Sequence, residues 1–307
     1  MDSATFTLKP LPPFRLDLTA WVLRRRPGNL LDLWDGATYR RALALDTTVA
    51  VAAVRQGGTD DAPLLHVTLA ADHLDAGAVE ESVAILERML GVRVDLCGFY
   101  DLGARDERLG VLAGRFRGVK PTRFPTFFEG VANAVSCQQV SLAFGIQLIG
   151  RLAETFGPAV SVEGETLHAF PCPADIVGRT PEEFRLLGFS RSKGEALIDA
   201  ARMLAGGGLD PASLEALGNE GAIRMLSTLR GLGRWSAEYL LLRTCGRMDV
   251  FPADDVGGQK NLQRWLQLPE QPGYHEVQRL MARWHPYGGL IYFHLLLDRL
   301  EAAGHLS

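Results

Sequence analysis

The sequence predicts an α+β fold, with an N-terminal antiparallel β-sheet domain with helices over residues 1–115 and an all-α core over 116–307. Three observations carry this prediction. Short β-branched or alternating apolar runs occur only early in the chain, a basic proline-punctuated stretch follows them, and one helical pattern after another with glycine or proline breaks fills the rest. With 307 residues, 47% of them hydrophobic, the chain can bury a large core and is long enough for more than one domain.

The strands come first. TYRRALAL (38–45), TVAVAAV (48–54) and LLHVTLA (64–70) are separated by Asp, Gly and Pro and read as antiparallel strands. Val79, Val83, Leu86 and Leu90 then recur at helical spacing and stop at Gly91, which predicts an amphipathic helix closed by a glycine. From about Phe116, RFRGVKPTRFPT marks the domain boundary.

Beyond it, Phe124, Phe128, Val131, Val135 and Leu142 fall broadly on one face of a helix that also carries Asn133, Gln138, Gln139 and Ser141. Those polar side chains can cap local backbone or reach a ligand, and the pattern favours neither. The stretch 170–207 reads as helix, Gly188, helix, with Arg191 and Lys193 near the second start and Gly206 to Gly208 as a stop.

The segment LRGLGRWSAEYLLLRTCGRMDVFPADD (229–255) concentrates the chemistry. One helix ends near Leu229, Gly231-Leu232-Gly233 make a tight turn, and Arg234 opens the next helix. Unpaired N–H groups and the positive end of a helix dipole make such a turn a seat for one phosphate. Trp235 and Tyr239, spaced i, i+4, share one helix face, either as core aromatics or as a stacking surface. Asp254-Asp255 precede VGGQKNLQRWLQ, where an acid is ordinarily a helix cap.

Composition removes several function classes. Four dispersed cysteines (Cys97, Cys137, Cys172, Cys245) and seven scattered histidines offer no metal-ligand spacing, so buried reduced thiols and no cofactor are expected. No run of eighteen apolar residues and no leader-like start occur, giving the expectation of a cytoplasmic protein without membrane contact. A net charge of −4 excludes a uniformly basic surface but leaves local clusters: Arg24 to Arg26, then Arg115, Arg117, Lys120 and Arg123, then the arginines around the hairpin turn. Solvated surface is the expectation for the first cluster.

LRGLGRWSAEYLLLR followed by DVFPADD resembles the helix-hairpin-helix and downstream aspartate of the base-excision DNA glycosylases, closest to the bacterial 3-methyladenine DNA glycosylase II (AlkA-like) family. FPTFFEGVANAVSCQQVS, LLGFSRSKGEALIDAA and RWHPYGGLIYFHLLL resemble further blocks of that family in the same order, and the N-terminal strands resemble its extra α+β domain more loosely. The resemblance implies a helix-hairpin-helix glycosylase core, with room for two helical subdomains around a DNA-binding cleft. It also implies a protein that flips and excises alkylated purines from double-stranded DNA containing damaged bases.

Carried over by position, Asp255 is the catalytic acid, with Asp254 capping or supporting the helix. Trp235, Tyr239 and Leu296 form the base pocket, Leu296 standing where relatives have tryptophan. Gly231, Gly233, Arg234, Gln139 and Ser141 meet DNA, Gln139 taking the place of an apolar wedge. The hairpin's backbone carbonyls near Leu229 and Gly231 offer a monovalent cation site, with no side-chain metal ligand. Bifunctional relatives carry a lysine where this chain has Trp235, so a monofunctional enzyme is expected. Trp21 is a candidate extra ring for the pocket or a buried structural residue. Oxidised or deaminated purines, or a non-catalytic clamp on DNA, are the alternatives, and a monomer without protein partners is the default.

Overall fold

The computed structural model describes residues 1–306. Its N-terminal sheet has the order β1-β5-β4-β3-β2, with every neighbour antiparallel, from β1 (Asp2–Leu8), β2 (Leu33–Trp34), β3 (Thr38–Ala44), β4 (Val49–Thr59) and β5 (Ala62–Ala71). Three of these strands are the ones the apolar runs predict. The edge strands are not, because β2 has two residues and β1, DSATFTL, carries few apolar side chains.

Helix α1 (Leu16–Arg24) and helix α2 (Ala76–Met89) accompany the sheet, and Leu86, Met89 and Leu90 pack with Leu65, Val67 and Leu69 of β5 in one apolar cluster. Asp75 caps α2 by accepting from the Ala78 N–H. Next come α3 (Cys97–Gly103) and α4 (Glu107–Arg115). Phe99, Leu109 and Leu112, which precede the boundary expected at 115, share a cluster with Leu262, Trp284 and Leu297 of the later helices. Hydrophobic matching between distant segments, invisible in local composition, decides this.

The helix expected through Leu142 is two helices. α5 (Phe127–Cys137) stops before Gln138, and Ser141 caps α6 (Leu142–Phe156) by accepting from the Phe144 N–H at 3.2 Å. Within the helical part stands a hairpin that the sequence reading lacks, β6 (Ala159–Val162) and β7 (Glu165–His168), whose Val160 and Leu167 pack on Ala42 and Val51 of the sheet. α7 (Pro173–Ile176), α8 (Pro181–Leu186) and α9 (Arg191–Ala205) follow, then α10 (Asn219–Leu226) and α11 (Arg234–Arg243). α12 (Val256–Leu266), α13 (Tyr274–Ala282) and α14 (Gly288–Ala302) complete the chain.

Two helical cores result. One is built by α5 to α11, with Leu152, Leu197, Leu226 and Leu240 at its centre. The other joins α12 to α14 with α3, α4 and part of α1. No helix among the described residues is long and apolar enough to cross a membrane. The thiols are not uniformly buried as expected, since Cys97 and Cys172 are exposed.

The seam between sheet and helices is ionic. Arg41 of β3, buried, donates to Asp32 Oδ1 at 2.6 Å and to Glu129 Oε2 of α5 at 2.5 Å. Asp32 also accepts from the Tyr39 hydroxyl at 2.6 Å, so both carboxylates have donors in place of water.

Candidate active site

Between the two helical cores lies a cleft of about 1190 Å³. Five separated segments line it: the end of α1, the α5–α6 junction, α11, α12, and α14. It brings together Trp235, Tyr239, Leu296, Gln139, Ser141 and Asp255 from the sequence reading.

The hairpin behind the cleft forms as expected at one of its two glycines. Gly231 has φ +77, and a Cβ there would stand 2.8 Å from Ala196 Cβ, so both conformation and space demand glycine. Gly233 has φ −90 and open space, which any residue adopts; its place follows from the N-cap position of α11. Gln138 ties the turn to α5, its Nε2 donating to Gly231 O at 2.7 Å and Ser236 Oγ at 2.9 Å. The Gly231 carbonyl, one of the two groups considered for a cation, thus already accepts a side-chain donor, and Leu229 O accepts from the Leu232 N–H at 3.1 Å. Arg234 pairs with Glu220 at 2.9 Å and with the Tyr274 hydroxyl at 2.9 Å. Neither Gly231, Gly233 nor Arg234 lines the cleft.

On α11, Trp235 and Tyr239 stack at 5.6 Å with 21° between their planes. This is the i, i+4 spacing made into a flat aromatic wall. In the same cleft, Asp255 is the N-cap of α12, its Oδ1 accepting from the Gly257 N–H at 3.2 Å. Asp255 therefore performs the capping expected of Asp254, which is exposed. Burial pushes the Asp255 carboxyl above its usual range, against the pull of the Tyr292 hydroxyl and the amides of Gly257 and Gly258.

Arg25 overturns the expectation of a solvated arginine run. It is buried, its Nη1 donates to the Tyr239 hydroxyl at 3.1 Å, and its Nη2 donates to Asn133 Oδ1 at 2.5 Å. Asn133, left open between capping and binding, bonds local backbone, its Nδ2 donating to Glu129 O at 3.0 Å, and holds Arg25 from outside the cleft lining. Arg243, also buried, lies over Phe124 at 4.6 Å and Phe293 at 5.2 Å. Its Nε and Nη2 have no hydrogen-bond partner. Arg25 (φ 58) and Gln139 (φ 54) are two of the four non-glycine residues with left-handed backbone among the described residues, and both line the cleft. Such conformations cost on the order of 1 kcal/mol and concentrate at functional positions. Trp21 is not in the cleft; it stacks on His305 at 5.8 Å.

The sequence reading took Arg25 for solvated surface and did not single out Tyr292. A signal for each exists: Arg25 stands two residues after the apolar run LTAWVL, and Tyr292 stands four residues before Leu296, on the same helix face.

Behind the cleft, Glu238 of α11 holds the segment leading to Asp255, accepting from the Ala253 N–H at 3.0 Å and the Tyr274 hydroxyl at 2.9 Å. Burial pushes its carboxyl up to about 7, against those two hydrogen bonds. Because its folded value lies above the ordinary carboxylate value, ionising Glu238 costs stability as pH rises from about 4.5 to about 7. Glu238→Gln keeps an acceptor there and removes the charge. It is expected to raise stability by about 2 kcal/mol at pH 8 and to leave it unchanged at pH 4.5. Thermal unfolding at the two pH values checks this, and an equal effect at both contradicts it.

An aromatic wall and a carboxylate in one cleft, lined also by Arg26, Lys260, Arg264 and Arg299, suit a flat ring presented by a polyanion. Comparison with known proteins agrees. The family model described as "HhH-GPD superfamily base excision DNA repair protein" matches residues 132–286. The chain belongs to that superfamily. It is 28% identical to a DNA-3-methyladenine glycosylase of Bacillus subtilis (strain 168) over 216 residues, covering 70% of this chain and 71% of the relative. It is 26% identical to DNA-3-methyladenine glycosylase 2 of Escherichia coli (strain K12) over 300 residues, covering 94% and 96%. In fold it is similar to a solved 3-methyladenine DNA-glycosylase from Archaeoglobus fulgidus, with a TM-score of 0.82, 24% identity and coverage of 96% and 98%.

Proposed function

We propose that the protein is a monofunctional DNA glycosylase that flips alkylated purines, of the 3-methyladenine and 7-methylguanine type, out of duplex DNA and hydrolyses their N-glycosidic bond. The observation that carries this reading is the stacked Trp235–Tyr239 wall sharing one cleft with the carboxylate of Asp255. The names of the Bacillus subtilis and Escherichia coli relatives supply the lesion class. An electron-poor alkylated purine stacks on the aromatic wall once it leaves the duplex.

Alkylation at N3 or N7 already makes the base a good leaving group, so no general acid is required. Breaking the bond develops positive charge on the deoxyribose, and Asp255 faces it either as a stabilising charge or as the base for the incoming water. Gln139, exposed on its strained backbone at the cleft edge, fills the gap left by the flipped nucleotide. Gly231, Gly233 and the amide groups at the start of α11 receive a backbone phosphate, with Arg234 and Ser141 beside the path of the strand. We place the enzyme in the cytoplasm as a monomer.

Arg25 and Arg243 favour a second substrate class. Two buried guanidiniums without a carboxylate in contact disfavour a cationic base and suit a neutral one with a carbonyl acceptor, as in deaminated purines.

Release of free base from methylated duplex DNA, with 3-methyladenine and 7-methylguanine scored separately and a hypoxanthine-containing duplex in parallel, tests both readings. Release from methylated DNA supports the first, and release from the hypoxanthine duplex alone replaces it with the second. No release from any duplex, with DNA bound, leaves the protein a clamp. Borohydride is expected to trap no covalent adduct; a trapped adduct contradicts the monofunctional mechanism.

A further inference from the structure

Asp255 is held from the far side of the cleft by a residue that neither the hairpin nor the acid motif contains. The Tyr292 hydroxyl of α14 donates to Asp255 Oδ2 at 2.5 Å. The contact is built by three elements. Phe251 sets its ring edge-on to Tyr292 at 5.4 Å and 88°. At Gly258 a Cβ would stand 3.0 Å from the Tyr292 ring and 3.4 Å from Asp255 Oδ2, so the first turn of α12 leaves the room in which the two meet.

We infer that Tyr292 is a positioning residue for Asp255, fixing the rotation of its carboxylate and holding it in the ionised form at the cleft floor. This rests on the glycosylase reading above. An ionised carboxylate has about four acceptor positions. Gly257 N–H takes one on Oδ1 and Tyr292 one on Oδ2, and even with the Gly258 amide beside them a position is left to meet the sugar cation or the attacking water. A donor of this kind bonds the charged form more strongly than the neutral one, and a short O–H···O contact is its signature.

The groups that face the pair come from every side of the cleft. Arg25 reaches in from α1, Cys137 from α5, Tyr239 and Arg243 from α11, and Lys260 from α12, with Asp254 adjacent in the chain. Burial pushes the Cys137 thiol and the Tyr239 phenol upward. Burial and the Asp255 charge push the Tyr292 phenol well above its ordinary range, so it stays a donor wherever Asp255 titrates.

Tyr292→Phe removes only the hydroxyl. Two measurements read the result: the pH profile of single-turnover base release, and titration of the Asp255 carboxyl by carbon NMR in the free protein, with Asp255→Asn assigning the resonance. The expected result is a midpoint for Asp255 higher by about one pH unit, with the acid limb of the rate moving with it. Release then falls by up to about tenfold at pH values below the native midpoint and is little changed above both midpoints. Fluorotyrosine at 292, a stronger donor that keeps the ring, moves both midpoints downward and serves where the phenylalanine variant fails to fold. An unchanged Asp255 midpoint, or a rate lowered equally at every pH, overturns the inference. If the native protein releases no base, the glycosylase reading fails while the NMR titration still decides the role of Tyr292.

Discussion

Asp255→Asn is expected to lower base release from methylated DNA by at least about a hundredfold while leaving fold and DNA affinity nearly intact. A single charged or dipolar group aimed at developing charge contributes about 3–4 kcal/mol to such a transition state, and that is the term an amide forfeits. The structure explains why the fold survives. Asn is as good an N-cap as Asp, so the start of α12 keeps its side-chain acceptor. One of the two hydrogen bonds, from Gly257 N–H or from Tyr292, is lost, at a cost of about 1 kcal/mol. Single-turnover release beside anisotropy with a duplex reads both properties. Release undiminished in the variant would sink the assignment of Asp255, and equal loss of binding and release would make the residue structural.

Arg41→Met is expected to cost about 3–5 kcal/mol of stability at neutral pH, the largest single effect on the fold. Methionine fills the volume but leaves Asp32 and Glu129 buried with no cation between them. Burial by itself pushes both carboxyls up; Arg41 and the Tyr39 hydroxyl bring Asp32 below its usual range, while Glu129 stays above its own. The lowered Asp32 value means a contribution present at neutral pH and lost as pH falls through the folded value. That loss lies below the ordinary carboxylate range; the gap between native and variant narrows already by pH 4.5 because, without Arg41, burial lets both carboxyls of the variant take up protons first. Urea unfolding at pH 7 and pH 4.5 measures it, and a gap that does not shrink on acidification contradicts an electrostatic origin. Base release should fall too, because Glu129 sits one turn before Asn133, the partner of Arg25 in the cleft wall.

How far the fold was legible follows from how local its causes are. The helix of Val79, Val83, Leu86 and Leu90 was readable because residues three and four apart share a face whatever lies beyond. The apolar spacing running from Val135 to Leu142 misled, because a four-residue break preserves the rhythm, and only the cap at Ser141 shows that a second helix starts there. β1 and the β6–β7 hairpin carry weak patterns of their own and owe their place to partners, Leu65 to Ala71 for one and Ala42 with Val51 for the other. The arginine run looked like solvated surface because charge at one position says nothing about what packs over it; Arg25 is buried by α5 and α11.

The sequence by itself determined the hairpin glycine at 231, the i, i+4 aromatic pair and the acid at the start of α12, all relations of a few residues that backbone geometry enforces. Tertiary structure alone decided which residues surround that acid. Tyr292 lies 37 positions from Asp255, Gln138 lies 93 from Gly231, and Arg25 lies 214 from Tyr239. No local periodicity couples such pairs, and only burial of the two helical cores against each other and against α1 brings their polar atoms within hydrogen-bonding distance.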